Sequence, residues 1–430
     1  MNKTFHRGFL ILLAAILLLT CGCAHETEVQ KAGFTPVLDT DASVQLDITG
    51  AFGNFEALDQ VMNAFNEYYP NVTYTYQQLS GEKQITYLES HPEVDLFMIS
   101  QDTLAPKYRS VLDLCVNLTE AGVNLDAVDP QMLAEYCVEG RQLALPMSQN
   151  LYGVVVNVSL LEKEGLSVPR NREEFLTALS VLKGKGYIPV QGPTSKIYAE
   201  LTSGMVFSGL CTGQPLREAI LKGDKAAAAE LLNPAFDLLD TLLSEGYTDR
   251  EVNDSYPNDN YDQAILRFFA GDVPFWVCNS EKVSGMKKRE SKSEAFQQSP
   301  FSYTFLYPPV GEVNAYIYRE PWFAFAVNKD GANRDYAVEL LRFLATTDQM
   351  NQMADVKGVP SAAKESTKPE IYTNVLDEDA IRSSKVNDGS VTSDMVGSWY
   401  SCTSSYVNGT YSTRQEAIDA FLTCCMEQIR

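Results

Sequence analysis

From Val44 the hydrophobic pattern changes period twice within about sixty residues, and this alternation constrains the chain more than any other feature. Apolar residues alternate at Val44, Leu46 and Ile48, the turn Gly50-Ala51-Phe52-Gly53-Asn54 follows, and Leu58, Val61, Met62 and Phe65 then recur at helical spacing. Asn54 is placed to cap that helix, Glu56 sits near its positive dipole end, and Pro70 ends it. Val72, Tyr74 and Tyr76 alternate again as a strand, and the run Val94-Asp95-Leu96-Phe97-Met98-Ile99 reads as a strand buried on both faces of a parallel sheet. Strand and helix in turn mean an α/β fold.

The grammar continues along the chain. Gly153 to Val156 reads as a strand, Asn171 with Glu174 opens a helix carrying Phe175, Leu179 and Leu182, and Gly184 and Gly186 stop it before a strand at Tyr187 to Val190. Residues 201–243 are mostly helical, 249–262 form a loop rich in Asn, Asp and Tyr, and 264–269 are amphipathic before a strand at 273–277. Residues 335–346 form a helix, and a last one starts at Ser412 or Thr413 with Ile418, Phe421, Leu422, Cys425 and Ile429 on its apolar face.

At the N-terminus, Lys3 and Arg7 precede an apolar run over 9–19, then Thr20-Cys21-Gly22-Cys23 and a polar stretch. The run falls short of the roughly 20 residues a spanning helix needs and has the form of an export signal. It resembles a bacterial lipoprotein signal, which implies lipidation at Cys23, behind the small Gly22, with Cys21 as the alternative. Residues 1–22 are then the signal and 23–43 a polar tether, and the chain is expected to be exported and lipid-anchored on the extracellular face or in the periplasm. Seven cysteines lie beyond the signal without any C-x-x-C spacing, and most read as small buried hydrophobes. One disulfide, such as Cys115 to Cys137, is compatible with the sequence.

Composition narrows the function. The 430 residues include 34 Lys+Arg and 56 Asp+Glu, a formal charge of −22, with 45% hydrophobic residues. That excludes disorder, and it argues against a nucleic-acid partner, which requires a basic face to release counterions. His91 is the one histidine beyond the signal and tether, so histidine-based catalysis has little to draw on. No metal-ligand spacing, nucleotide loop or nucleophile elbow occurs, and neither cofactor nor metal is expected. Instead, aromatic and amide residues gather at strand ends: Tyr152, Tyr198, Trp276, Tyr316, Tyr318 and Trp322, with Asn54, Gln101, Asn150 and Asn279. Aromatic faces cover the C–H side of a pyranose while amides meet its hydroxyls, so the expected ligand contacts are Asn54, Gln101, Asn150, Tyr198, Trp276, Asn279 and Trp322.

Several motifs in order carry a resemblance. They are Tyr69-Pro70, Leu112-Asp113-Leu114, Asn117-Leu118-Thr119, Ala144-Leu145-Pro146, Tyr152-Gly153-Val154-Val155-Val156-Asn157, Leu161-Glu162-Lys163-Glu164-Gly165-Leu166, Glu173-Glu174-Phe175, Phe269-Ala270-Gly271-Asp272, Tyr307-Pro308-Pro309 and Gly358-Val359-Pro360-Ser361. Together they resemble the extracellular solute-binding proteins of ABC importers, of the carbohydrate type that includes maltodextrin and multi-sugar receptors. The sequence departs from that pattern at Tyr318-Arg319-Glu320-Pro321-Trp322, where the family often has Gly-Gly before the Trp-like position.

The resemblance implies a two-lobed α/β fold, with hinge crossovers near Ser148 to Asn150, Leu306 to Pro309 and Gly358 to Ser361. One lobe would comprise 44–148 plus 309–358 and the other 149–308 plus 359–430, with a central ligand cleft. It further implies a monomer that captures a mono- or oligosaccharide and hands it to permease subunits, with no reaction catalysed. The contrasting readings are a surface-anchored glycoside hydrolase and a surface sensor or adhesin of the same fold.

Overall fold

The computed structural model describes residues 34–53, 55–100, 103, 108–257, 260–311, 317–367, 369–372 and 385–429. Of the expected features, the export signal, Cys21 and Cys23, and the side chains of Asn54, Gln101 and Tyr316 lie outside these residues. The folded unit begins at Pro36.

The strands are β1 (Val44–Gly50), β2 (Val72–Gln78), β3 (Leu96–Ile99), β4 (Cys137–Val138), β5 (Arg141–Gln142), β6 (Leu145–Asn157), β7 (Val190–Gln191), β8 (Phe275–Asn279), β9 (Tyr303–Leu306), β10 (Tyr318–Val327) and β11 (Lys385–Val386). Apart from the β4–β5 hairpin they form one sheet of order β2-β1-β3-β10-β6-β8-β7, with β11 on β10 and β9 on β6. β1 runs parallel to β2 and β3, whereas β10 is antiparallel to β3 and to β6. The buried run at Leu96–Ile99 is the strand its composition predicts, but its sheet is mixed and not parallel, since β3 runs parallel to β1 and antiparallel to β10.

Two strands carry the sheet through the molecule. β6 pairs with β10 over its first half and with both β8 and β9 over its second. Gly153 lies where β8 and β9 flank β6 together: a Cβ there would stand 2.5 Å from the Leu306 carbonyl oxygen. All thirteen residues of β6 are buried, including the polar Ser148, Gln149 and Asn150 between the two apolar segments legible in the sequence. Gln149 is met internally, its Nε2 donating to the Ser361 carbonyl at 2.6 Å and its backbone N to that of Pro360 at 2.9 Å, whereas the buried Ser148 Oγ has no hydrogen-bond partner among the described residues.

Separate hydrophobic clusters cover the two ends, and two of these clusters flank β10. The smaller includes Leu88, Phe97, Ile99, Val111, Tyr136, Ala324 and Ala326. The larger gathers Val154, Phe175, Phe207, Phe236, Phe268, Trp276, Val310, Tyr318, Trp399 and Phe421. This is the two-lobed α/β plan. Because Tyr318 belongs to one core and Ala324 to the other, β10 itself passes between them, later in the chain than the expected crossover at Leu306 to Pro309.

Most helices follow their local signals, although Glu56–Phe65 has Phe55, without a side-chain capping bond, as its N-cap residue and not the expected Asn54. Glu56–Phe65 buries Leu58, Val61, Met62 and Phe65, side chains worth about 1.5–3 kcal/mol each when fully removed from water. In Arg172–Gly184, Asn171 Oδ1 accepts from Glu174 N at 2.9 Å while Arg170 N donates to Glu174 Oε2 at 2.8 Å. Arg414–Gln428 opens the same way, with Glu416 N donating to Thr413 Oγ1 and Ser412 N to Glu416 Oε2. These reciprocal caps satisfy amides that a helix start leaves unpaired. The expected strand at Tyr187 to Val190 shrinks to Val190–Gln191. Residues 201–243 resolve into parts of Thr194–Leu210, Pro215–Leu221 and Lys225–Ser244.

All seven cysteines beyond the tether are free thiols, five of them buried. The Cys115–Cys137 bridge is not formed: Cys115 lies in the smaller core with its thiol directed at the Val111 carbonyl, while Cys137 is exposed. Among the described residues no helix is long and apolar enough to cross a membrane.

Candidate functional site

The register between β6 and β10 builds the centre of the site. Asn150 stands opposite Glu320, and the pairing slips between Pro321 and Phe323, leaving Trp322 as the extra residue of a bulge. A bulge re-aims the side chain it carries, and Trp322 lines two cavities at once.

The smaller cavity, about 360 Å3 and called inner because its wall is built on the central β6–β10 pair, is lined by Asn150, Tyr152, Glu320, Trp322 and Tyr400, with Ser100 and Ser393. Glu320 is 6% exposed and accepts from Asn150 Nδ2 at 2.9 Å, Tyr152 OH at 2.6 Å and Tyr318 OH at 3.4 Å. Asn150 Oδ1 accepts in turn from Ser280 Oγ at 3.1 Å. Burial first, and then the Glu320 charge, hold the Tyr152 and Tyr318 phenols far above their ordinary range, so both remain donors at any physiological pH. Behind the wall, Tyr400 OH donates to Glu200 at 3.3 Å, and burial pushes the Glu200 carboxyl up to about 7.

The outer cavity, about 1290 Å3, opens between the carboxyl ends of β1 and β2 and the chain that follows β8. Phe52 and Gln78 contribute from one side, Tyr261, Ser284 and Arg289 from the other, with Trp322 and Lys357 also in the wall. Ligands of open α/β sheets lie outside the carboxyl ends of strands. Phe52 meets Trp322 edge-on with centroids 5.2 Å apart, and Lys357 Nζ lies 3.7 Å from the Phe52 ring centre.

Of the expected contacts, Asn150 and Trp322 come together here. Tyr198 and Trp276 do not line either cavity; both are buried in the larger core, where Trp276 stacks with Phe268 and Tyr256. Tyr198 lies inside the helix Thr194–Leu210 and not at a strand end, and Trp276, in β8, turns its ring to the core. Asn279 is the N-cap residue of Ser280–Val283 without a capping side-chain bond, opposite Tyr152 across β6 and β8. Phe52, Glu320, Tyr400 and Lys357 were missed. An aromatic residue in a glycine turn at the end of β1 is the signal that could have flagged Phe52. His91 stacks on Tyr87 with centroids 3.8 Å apart and lines neither cavity. Among the described residues no group of three or more His, Cys, Asp or Glu could hold a metal ion.

A cleft at strand ends between two cores, reached by strands that run through both, defines a two-lobed binding protein. The sequence profile of the bacterial extracellular solute-binding proteins matches residues 60–377, and the chain belongs to that family. Solved structures of the same fold include a sugar transporter from Bacillus licheniformis in complex with stachyose, at TM-score 0.64 and 15% identity, covering 89% of this chain and 100% of that one. The apo form of RafE from Streptococcus pneumoniae aligns at TM-score 0.68 and 14% identity over 92% of this chain and 100% of its own. A chitin oligosaccharide binding protein aligns at 0.65 and 16% over 90% and 99%. Among curated protein sequences none matches.

Proposed function

We propose that this chain is the membrane-tethered substrate-binding component of an ABC importer, capturing a carbohydrate in the cleft and delivering it to permease subunits without catalysing a reaction. The observation that carries the reading is Trp322: a bulge sets it on the wall shared by both cavities, beside a buried carboxylate, amide and tyrosine set suited to hydroxyl groups. Stachyose and chitin oligosaccharide, the sugars named for two structures of this fold, agree with it. Residues 44–148 with 324–358 form one lobe and 149–318 with 359–430 the other, and Cys23 carries the lipid. Closure around ligand gives the shape that the permease reads. Asn150 and Trp322 contact the sugar, the amide bonding and the ring stacking.

The test is a thermal-shift and calorimetric screen against sugars, amino acids, peptides and polyamines. A ligand at about 100 times its dissociation constant adds roughly 2.7 kcal/mol of stability. A response to one sugar class with no product on long incubation supports the reading. A response to amino acids or polyamines alone removes the carbohydrate assignment, and slow cleavage of an oligosaccharide makes the protein an enzyme.

A further inference from the structure

Four basic residues line the outer cavity, and they differ in what they meet. Lys288 pairs with Glu56 at 2.7 Å, Lys287 with Glu290 at 2.9 Å, and Arg289 with Asp262. Lys357 has no hydrogen-bond acceptor and no carboxylate at ion-pair distance among the described residues; its ammonium rests on Phe52 and, at 5.2 Å, on Trp322. Glu56 and Glu281 act on it only at longer range, opposed by Lys288, and burial pushes its ordinary value down to about 8.

A partly buried ammonium that rests on aromatic faces and has no carboxylate of its own is placed to gain from an anionic partner. Its place fixes where the partner comes from: Lys357 is the last residue of Thr347–Lys357, immediately before the left-handed Gly358 cap, and its head reaches the ring that the sugar reading assigns to stacking. The rest of the wall is mixed in charge. Glu56, Glu281, Glu290, Asp355 and Glu370 line the same cavity, and Lys287, Lys288 and Arg289 are each already paired with a carboxylate, so the cation set apart for an entering anion is Lys357.

We propose that the cleft selects an acidic carbohydrate, a pyranose bearing an anionic oxygen group, and that Lys357 Nζ is the specificity-determining cation that meets it. This rests on the carbohydrate reading above and names its substrate class. Phe52 and Trp322 hold the ammonium in place beforehand, so the ligand's anionic group finds a positioned donor and the sugar ring lies against Trp322.

The experiment is titration calorimetry of the protein with pairs of oligosaccharides that share linkage and ring but differ in charge: uronides against their neutral parents, and sulfated and phosphorylated sugars against theirs. A charge-assisted contact predicts that the acidic member binds about 10- to 100-fold more tightly, and the pair with the largest ratio tells carboxylate from sulfate or phosphate. Lys357→Met, which keeps the aliphatic stem, and Lys357→Gln, as a second variant, collapse that ratio toward one. Equal or tighter binding of the neutral members overturns the inference while the carbohydrate reading stands. Equal weakening of both members by Lys357→Met, as expected if the ammonium only donates to hydroxyls, does the same. Binding of a non-carbohydrate solute with no sugar of either kind removes the carbohydrate reading, and the inference with it.

Discussion

The two cavities that meet at Trp322 are built on opposite principles. In the inner one Glu320 receives donors from Asn150, Tyr152 and Tyr318, all buried and each supplied by β6 or β10. In the outer one charge is placed on partly exposed side chains, and Lys357 is left with aromatic faces alone. A network of buried, mutually satisfied groups fixes geometry and is costly to disturb, whereas a charge without a carboxylate partner is free to answer a ligand. The inner cavity therefore belongs to the fold's stability as much as to binding, and the outer cavity mainly to recognition.

Glu320→Ala breaks the comparison most severely. It removes one acceptor from three buried donors, each costing about 1–3 kcal/mol when left unmet, so the expected loss is about 3–5 kcal/mol in chemical denaturation, with Glu320→Gln much milder. A loss below about 1 kcal/mol would show that water replaces the carboxylate, and the inner cavity would then be as adaptable as the outer.

Glu200, behind Tyr400, sharpens the comparison through pH. Its carboxyl stands at about 7 in the fold against an ordinary 4.5, because burial disfavours the charge. Below about pH 4.5 both folded and unfolded states hold the proton and no penalty exists. As pH rises toward 7 the unfolded state releases it first, so stability falls, and above 7 the penalty is complete at about 3 kcal/mol. Glu200→Gln, which still accepts from Tyr400, is thus expected to be more stable than the parent at pH 8 and level with it near pH 4.5. Parallel stability curves across that range would place the carboxyl in water.

Trp322→Ala acts on the outer side. The ring makes edge contacts with Phe52 and Phe323 and faces both cavities, so little core is lost. Stability should change by about 1 kcal/mol, while sugar affinity drops about 10- to 100-fold. The opposite pattern, a large stability loss with affinity kept, would make Trp322 a core residue like Trp276.

How legible each region was depends on where its information lies along the chain. The caps at Asn171 and Thr413 and the stripe of Leu58, Val61, Met62 and Phe65 are local, and they were readable. β6 read as two apolar pieces, because Ser148, Gln149 and Asn150 interrupt the pattern; their burial depends on Ser361 and Glu320, more than 150 residues away. Tyr198 and Trp276 show the limit of strand-end reasoning, since Tyr198 proves helical and Trp276, though in a strand, faces the core. The Lys357 cage joins residues 52, 322 and 357, and no spacing rule connects them.

The smallest expected effect tests whether the outer cavity's charges also govern its opening. Glu56 lies in the first turn of Glu56–Phe65, between β1 and β2, whereas Lys288 lies in Met286–Glu290, beyond β8, and their 2.7 Å pair spans the mouth of the cleft. Both side chains are about half exposed, so the pair is worth at most about 1 kcal/mol and less in salt. That is still a several-fold change in the ratio of closed to open molecules, because a two-state balance responds to small differences. Lys288→Ala should therefore widen the unliganded protein slightly in small-angle scattering at low salt and change nothing at about 1 M salt, where the parent's own pair is already screened. If the parent shows no salt-dependent change in dimension, the bridge holds nothing closed. Recognition by Lys357 would then be separable from the motion of the lobes.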